Sequence, residues 1–337
     1  METRLDWLSR LLGLVPVTGR LDHRCFLGAP WRIEYEPSPA GVMPFHIVLG
    51  GAVTFEELNG IRRTGTPAKA GVKNAMRDKA GPRQLQPGDI VLLTHGSAHA
   101  LHDGSGAPPE PYRDRATLNL LISENAGTGA RIDVLCGSFR IAPAHAAMLQ
   151  RYLPENFVVS APEMSAATTK SGTGAELAAL IALLRMESAE ERLGGAAMLD
   201  ALSTALFALI LRLASEDDAP ADKTGLLALA GNPRLAPALT AMFNEPAQPW
   251  TLPALAGLCN MSRATFIRHF QERLGRSAME LLTEIRMTLA ANMLATSDSS
   301  TGIVAELAGY QSEAAFQRSF KQATGMTPAQ WRREGRK

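Results

Sequence analysis

The sequence predicts an α+β chain of more than one domain: a β-sandwich in front, a helical hairpin behind it, and an all-α C-terminal part with two helix-turn-helix units. Three observations carry this. Short apolar runs separated by Gly and Pro fill residues 25–141, Leu and Ala recur at helical spacing over 176–215, and the last third repeats one ten-residue pattern. At 337 residues the chain has room for two domains, each with its own core.

In the front half, residues 31–35, 45–49, 52–55, 88–93, 117–122 and 130–136 are β-leaning runs. Short strands at regular spacing with turn residues between them predict a sandwich or jelly roll. Residues 61–83 carry seven Lys/Arg and one acid, and residues 103–115 are rich in Gly and Pro. Both read as mobile hairpin connections.

Cys25 follows His23 and Arg24, and neighbouring positive charge favours the thiolate that oxidants attack. Cys136, at a strand end before Gly137, is a candidate partner. Free Cys also serves as a small buried hydrophobe, so both readings stand at this point; Cys259, within a short apolar helix, reads as packing. His46, His95, His99 and His102 are candidate imidazole ligands, yet His near strand ends is more often hydrogen-bonded. No metal or cofactor is expected. Catalysis is not expected either, because no nucleophile, base and orienting group stand at a legible spacing.

Behind the sandwich, Leu177, Leu180, Ile181 and Leu184 form one apolar stripe. Met198, Leu199, Leu202, Leu206, Leu209, Ile210 and Leu213 form another. Such a hairpin must pack on the sandwich or on a second copy of the chain. Residues 216–222, acidic and Pro-containing, read as a linker.

The repeated pattern begins at Ser262 and again at Ser312. Each Ser is followed by Phe at the fourth and eighth positions (Phe266 and Phe270, Phe316 and Phe320) and by Arg at the sixth (Arg268, Arg318). Ser at such a position caps a helix, and Phe residues one turn apart share its buried face. A short apolar helix precedes each, over 252–260 and 303–310, with Gly309 at the second turn. This is the helix-turn-helix plan, in which the second helix enters the major groove. Residues 277–295 read as one long connecting helix with Leu281, Leu282, Ile285, Leu289 and Met293 on one side. It would hold the two recognition helices about one DNA turn, roughly 34 Å, apart.

The stretch from Ala305 through Gly309-Tyr310-Gln311-Ser312-Glu313, with Phe316-Gln317-Arg318-Ser319-Phe320-Lys321, Gly325-Met326-Thr327-Pro328 and Trp331-Arg332, closely resembles AraC/XylS-type transcription regulators. The match covers roughly residues 226–334. By helical position and by that motif, Arg263, Ala264, Ile267, Arg268, Glu313, Ala314, Gln317, Arg318 and Lys321 form the expected DNA-binding set. Arg268 and Arg318 are the leading base readers, since Arg bridges guanine O6 and N7; Arg263 and Lys321 suit phosphates. The resemblance implies double-stranded DNA and RNA polymerase as partners, a homodimer through the hairpin, and a small-molecule or oxidant effector.

Residues 85–93 with His99, and His46 ahead of Gly50-Gly51, resemble cupin motifs. The His-x-His pair of metal-binding cupins is replaced by His46-Ile47-Val48. A metal-dependent cupin enzyme fused to a DNA-binding domain, using His46 and His99, is the rival reading. The segment from Leu8 to Gly28 and the Cys136-Gly137 step are similar to AraC-type regulators with cupin-like sensors, including the branch that responds to reactive chlorine. That similarity implies redox-sensing roles for Cys25 and Cys136. The expected organisation is therefore a cupin-like sensor over 1–160, a helical hairpin over 161–216, a linker over 217–225 and a DNA-binding domain over 226–337.

Charge agrees with this division. Residues 250–337 hold 11 Lys/Arg against 7 Asp/Glu, a balance of +4 within a total of +1. The surplus sits where DNA would be. The N-terminus lacks the order of a secretory signal, and no apolar run approaches the roughly 18 residues of a membrane span. Three scattered cysteines make no disulfide framework. A cytoplasmic protein without a membrane partner is expected.

Overall fold

The computed structural model describes residues 5–58, 81–161, 172–216 and 225–334. Most of the basic segment 61–83 and most of the acidic linker 216–222 lie outside the described residues. The elements in chain order are α1 (Trp7–Leu14), β1 (Val17–Gly28), β2 (Arg32–Tyr35), β3 (Val42–Gly50), β4 (Val53–Glu57), β5 (Arg83–Leu85), β6 (Asp89–Leu93) and β7 (His99–His102). Then come β8 (Tyr112–Ala116), β9 (Leu121–Asn125), β10 (Arg131–Ile141), α2 (Pro143–Tyr152), β11 (Asn156–Ser160), α3 (Thr173–Glu187) and α4 (Gly195–Glu216). The C-terminal helices are α5 (Leu226–Ala230), α6 (Ala236–Asn244), α7 (Leu252–Leu258), α8 (Arg263–Leu274), α9 (Ala278–Thr296), α10 (Thr301–Leu307), α11 (Glu313–Thr324) and α12 (Pro328–Glu334).

Two compact units emerge. One gathers residues 18–140 and 155–210; the other gathers 1–17, 141–154 and 211–337.

In the first unit, a seven-stranded sheet (β11-β6-β3-β10-β1-β9-β8) faces a four-stranded one (β2-β7-β4-β5). β3 pairs antiparallel with β6 and β10, β6 with β11 and β8 with β9, while β1 runs parallel to β9 with Cys25 opposite Ser123. Alternation along β10 sends Val134 and Cys136 into the sandwich, where they meet Cys25, Leu27, Val48, Val53, Leu85 and Leu101. The other face takes the α3–α4 hairpin. Phe139 stacks on Phe45 at 4.5 Å and meets Phe207 of α4 at 4.8 Å. Gly137 is required there: a Cβ would stand 2.3 Å from the Arg20 carbonyl and 2.5 Å from the Phe45 ring.

Several sequence expectations need correction. Residues 117–120 form a turn, in which the Thr117 hydroxyl donates to the Leu120 carbonyl at 2.7 Å; the strand β9 starts only at Leu121. Residues 103–115, read as a loop, include most of the exposed edge strand β8. Leu206 is wholly buried in its own subunit, so it cannot be part of an interface between copies. By length and composition α4 does reach the size of a membrane span, because its few charges are far apart. A third of that apolar window is buried in the fold, with Phe207, Ile210 and Leu211 inside.

In the second unit, α9 is central. A capping box between Ser277 and Glu280 starts it, and Leu281, Leu282, Ile285, Met287, Ala290, Ala291 and Leu294 are all buried along it. Leu289 and Met293 are only half-buried. Helices α10, α11 and α12 pack on its second half. The same unit holds α1 and α2. Asn292 donates to the Leu14 carbonyl at 2.6 Å, Thr288 contacts the Met148 sulfur at 3.3 Å, and Arg151 pairs with Glu284.

Candidate functional site

The two helix-turn-helix units are built alike. Ser262 accepts from the Thr265 amide at 3.2 Å and Ser312 from the Ala315 amide at 3.4 Å. Each recognition helix ends on a left-handed glycine, Gly275 at φ 76° and Gly325 at φ 78°. In the turns, the Met261 amide reaches back to Ala256 O and the Tyr310 amide to Ala305 O. Asn260 supplies the positive φ (52°) in the first turn and Gly309 (80°) in the second. Gly309 has the tighter constraint, since a Cβ would meet Ala247 O at 2.6 Å.

Phe266 and Phe270 touch with ring centroids 5.3 Å apart, Phe316 and Phe320 at 5.5 Å, and all four are buried. Trp331 closes the second unit edge-on to Phe320 at 5.7 Å and donates its indole N–H to Ala291 O. Burying these rings forces the rest of each helix outward. Arg263, Ala264 and Arg268 on α8 are exposed and Ile267 is half-exposed; Glu313, Ala314, Gln317, Arg318 and Lys321 on α11 are exposed. Arg268 lies 4.0 Å from Glu272, an exposed pairing of little strength, and Gln317 donates to Glu313 at 2.9 Å.

The sandwich holds a different constellation. Cys136 and His46 are directly opposite in register on β10 and β3, so both point inward, and Cys136 Sγ lies 3.1 Å from His46 Nδ1. From the facing sheet, His99 on β7 meets His46 at 2.8 Å between their Nε2 atoms. His99 Nδ1 is 2.9 Å from the Ser97 carbonyl, and Tyr35 stacks on its ring at 4.7 Å. The Tyr35 hydroxyl is 3.6 Å from Cys136 Sγ. Cys25, on the neighbouring strand β1, lies in the same core cluster as Cys136 and opposite Ser123, whose hydroxyl donates to Asp114. Cys25, Cys136, His46 and His99 are all at most 4% exposed.

Burial shapes their acidity. It pushes His46 well below the ordinary imidazole range, with His99 adding to the effect, and brings His99 to about 4. The Cys136 hydrogen bond draws the Cys25 thiol down against the opposing cost of burial, while Cys136 is held up by the same contact and by its own burial. The sequence had assigned the acidity of Cys25 to Arg24. That reason fails, because successive strand residues point to opposite faces. Arg24 faces the hairpin, binds Asp133 at 2.8 and 3.0 Å, and donates to Arg185 O and Ser188.

His102 lies 3.7 Å from Glu56 and does not join His46 and His99. Tyr35 and Ser123 carry no signal in the sequence: Tyr35 reaches Cys136 from the facing sheet, and Ser123 stands opposite Cys25 through strand register. Cys259 is buried at the end of α7. Among the described residues, no set of three or more His, Cys, Asp or Glu side chains is placed to hold a metal ion.

This two-part construction, a β-sandwich followed by paired helix-turn-helix units, has relatives. Residues 6–216 match the Cupin family and residues 255–334 match a helix-turn-helix domain family, so the chain belongs to the cupins and carries a DNA-binding module behind its cupin domain. It is 27% identical over 98% of its length to the HTH-type transcriptional regulator MtrA of Neisseria gonorrhoeae, covering 99% of that protein. It is 28% identical to the RCS-specific HTH-type transcriptional activator RclR of Escherichia coli K12, over 97% of each chain. Among solved structures it is similar to the DNA-binding domain of AdpA in complex with a target DNA (30% identity, 31% of this chain and 94% of that one, TM-score 0.30). The protein is a DNA-binding transcription regulator of the AraC type with an N-terminal cupin domain.

Proposed function

We propose that the cupin domain senses a reactive chlorine oxidant through Cys25, with Cys136 as its partner, and that oxidation changes transcription at sites read by α8 and α11. The observation that carries this reading is the placement of Cys25 and Cys136 on neighbouring strands, both buried in one core cluster of the sandwich. Thiols on adjacent strands can close a disulfide where their Cα atoms come within about 7 Å. The RCS-specific activator among the relatives supports the choice of oxidant. Chain connectivity supports the output: β1 follows α1 and β10 precedes α2, and both helices pack with the DNA-binding helices.

On DNA, Arg268 and Arg318 read guanine edges, Ala264, Ile267, Ala314 and Gln317 line the groove, Arg263 and Lys321 hold phosphates, and Glu313 orients Gln317. RNA polymerase is the downstream partner. A second copy docks on the side of α4 bearing Met198 (51% exposed) and the half-buried Leu202 and Leu209.

The test is Cys25→Ser in the full chain. Hypochlorite should alter transcription from a bound promoter in the wild type and leave the variant unresponsive. A variant that still switches normally would remove the thiol reading.

A further inference from the structure

Both thiols are buried, at 3% and 4% exposure, so bulk water is not at hand to take the proton that disulfide closure releases. The hydrogen bonds around Cys136 supply an acceptor, and the direction of each can be deduced. The Ser97 carbonyl can only accept, so His99 Nδ1 carries a hydrogen and donates to it. The neutral His99 ring then has a bare Nε2, and the 2.8 Å contact requires His46 to donate its Nε2–H. That leaves the His46 Nδ1 lone pair facing Cys136 Sγ at 3.1 Å. One backbone carbonyl thus fixes the tautomers of two rings and aims a nitrogen lone pair at a thiol.

Resting on the thiol-sensing reading above, we propose that His46, oriented by His99, is the base that takes the Cys136 proton when Cys136 closes on an oxidised Cys25. With Cys25 reduced, the Cys136 hydrogen faces the His46 Nδ1 lone pair and nothing draws the sulfur into reaction. Hypochlorous acid changes that: Cys25–SH and HOCl give Cys25–SCl and water, and the chlorinated sulfur is an electrophile. The Cys136 sulfur then attacks Cys25. The S–S bond forms, the S–Cl bond breaks, chloride leaves with the bonding electrons, and the Cys136 proton passes to His46 Nδ1. The His46 imidazolium so formed can donate Nδ1–H towards sulfur and Nε2–H to His99, and its buried charge, which burial disfavours, makes it a transient carrier of the proton. A neutral His46 would instead present a buried, unpaired nitrogen to a sulfur without hydrogen. His46 touches the reacting atom and is catalytic; His99 acts through His46 and is a positioning residue.

The experiment treats the full-length protein with one equivalent of hypochlorite between pH 6 and pH 9. Loss of the Cys25 thiol and closure of the disulfide are followed separately by rapid quench and mass measurement. His46→Gln should close about a hundredfold more slowly near neutral pH, recover as the pH rises, and lose the Cys25 thiol at the wild-type rate. His99→Gln, whose amide can face His46 with either end, should show a smaller slowing with the same pH slope. Closure at the wild-type rate in His46→Gln overturns the base while leaving thiol sensing intact. A wild type that forms no Cys25–Cys136 bridge overturns both. Should the variants misfold, imidazole nitrogen shifts in the wild type decide: His46 carrying its hydrogen on Nε2 upholds the proposal, and a hydrogen on Nδ1 sinks it.

Discussion

The recognition helices and the sandwich place their chemistry on opposite sides of their secondary structure. On α8 and α11 the Phe pairs are inside and the Arg side chains are outside, so each helix is held by one face and used by the other. In the sandwich the polar and reactive groups, Cys25, Cys136, His46 and His99, lie inside among Leu and Val. An exposed site can lose a side chain without losing its fold. A buried one cannot be altered without disturbing the hydrogen bonds that satisfy its neighbours. On the proposed thiol-sensing reading, oxidation would alter the core itself.

The largest expected effect lies in the helical region. Phe320→Ala removes a wholly buried ring that touches Phe316 and Trp331, and should cost about 3–5 kcal/mol of stability by urea denaturation. Loss of less than about 1 kcal/mol would mean the second unit is not held by its Phe face.

Next comes acid. His99 sits at about 4 in the fold against 6.5 in the unfolded chain, so between these values the unfolded state binds more protons. Its contribution is complete above pH 6.5 and is lost as pH falls towards 4, amounting to about 3 kcal/mol. His46 acts in the same direction. Stability curves of the wild type should steepen over that window and those of His99→Gln should flatten; identical curves would separate the imidazole pair from acid sensitivity.

Arg318→Ala should cost about 1–3 kcal/mol at a specific site and relax discrimination at one base, with stability unchanged. If instead non-specific affinity alone falls, Arg318 touches phosphate only. The smallest effect on the fold should come from Met198→Glu and Leu209→Glu, which should lower the sedimentation mass of a dimer while helix content holds. An unchanged mass would leave that face of α4 without a second copy.

The same contrast explains what could be read from sequence. The Ser-Phe-Arg-Phe pattern is local, because a cap and one helical face fit within nine residues. The strand β1 was missed because Arg20, Asp22, His23 and Arg24 look solvent-facing, whereas Arg24 packs against α3 with its charge met by Asp133. The turn at 117–120 resembles a strand in sequence because Leu118 and Leu120 look like core, whereas Leu118 is 75% exposed. Cys25 and Cys136 were singled out, but the company they keep was not legible. It depends on register between β3 and β10 and on two sheets meeting, over separations of 53 and 90 residues.

The most direct measurement of the central claim is genome-wide binding and transcription of the wild type and Cys25→Ser, with and without hypochlorite. The two should occupy the same DNA sites, and transcription beside those sites should change with oxidant only in the wild type. Equal responses in both proteins, or no response in either, would contradict a thiol sensor coupled to the DNA-binding helices.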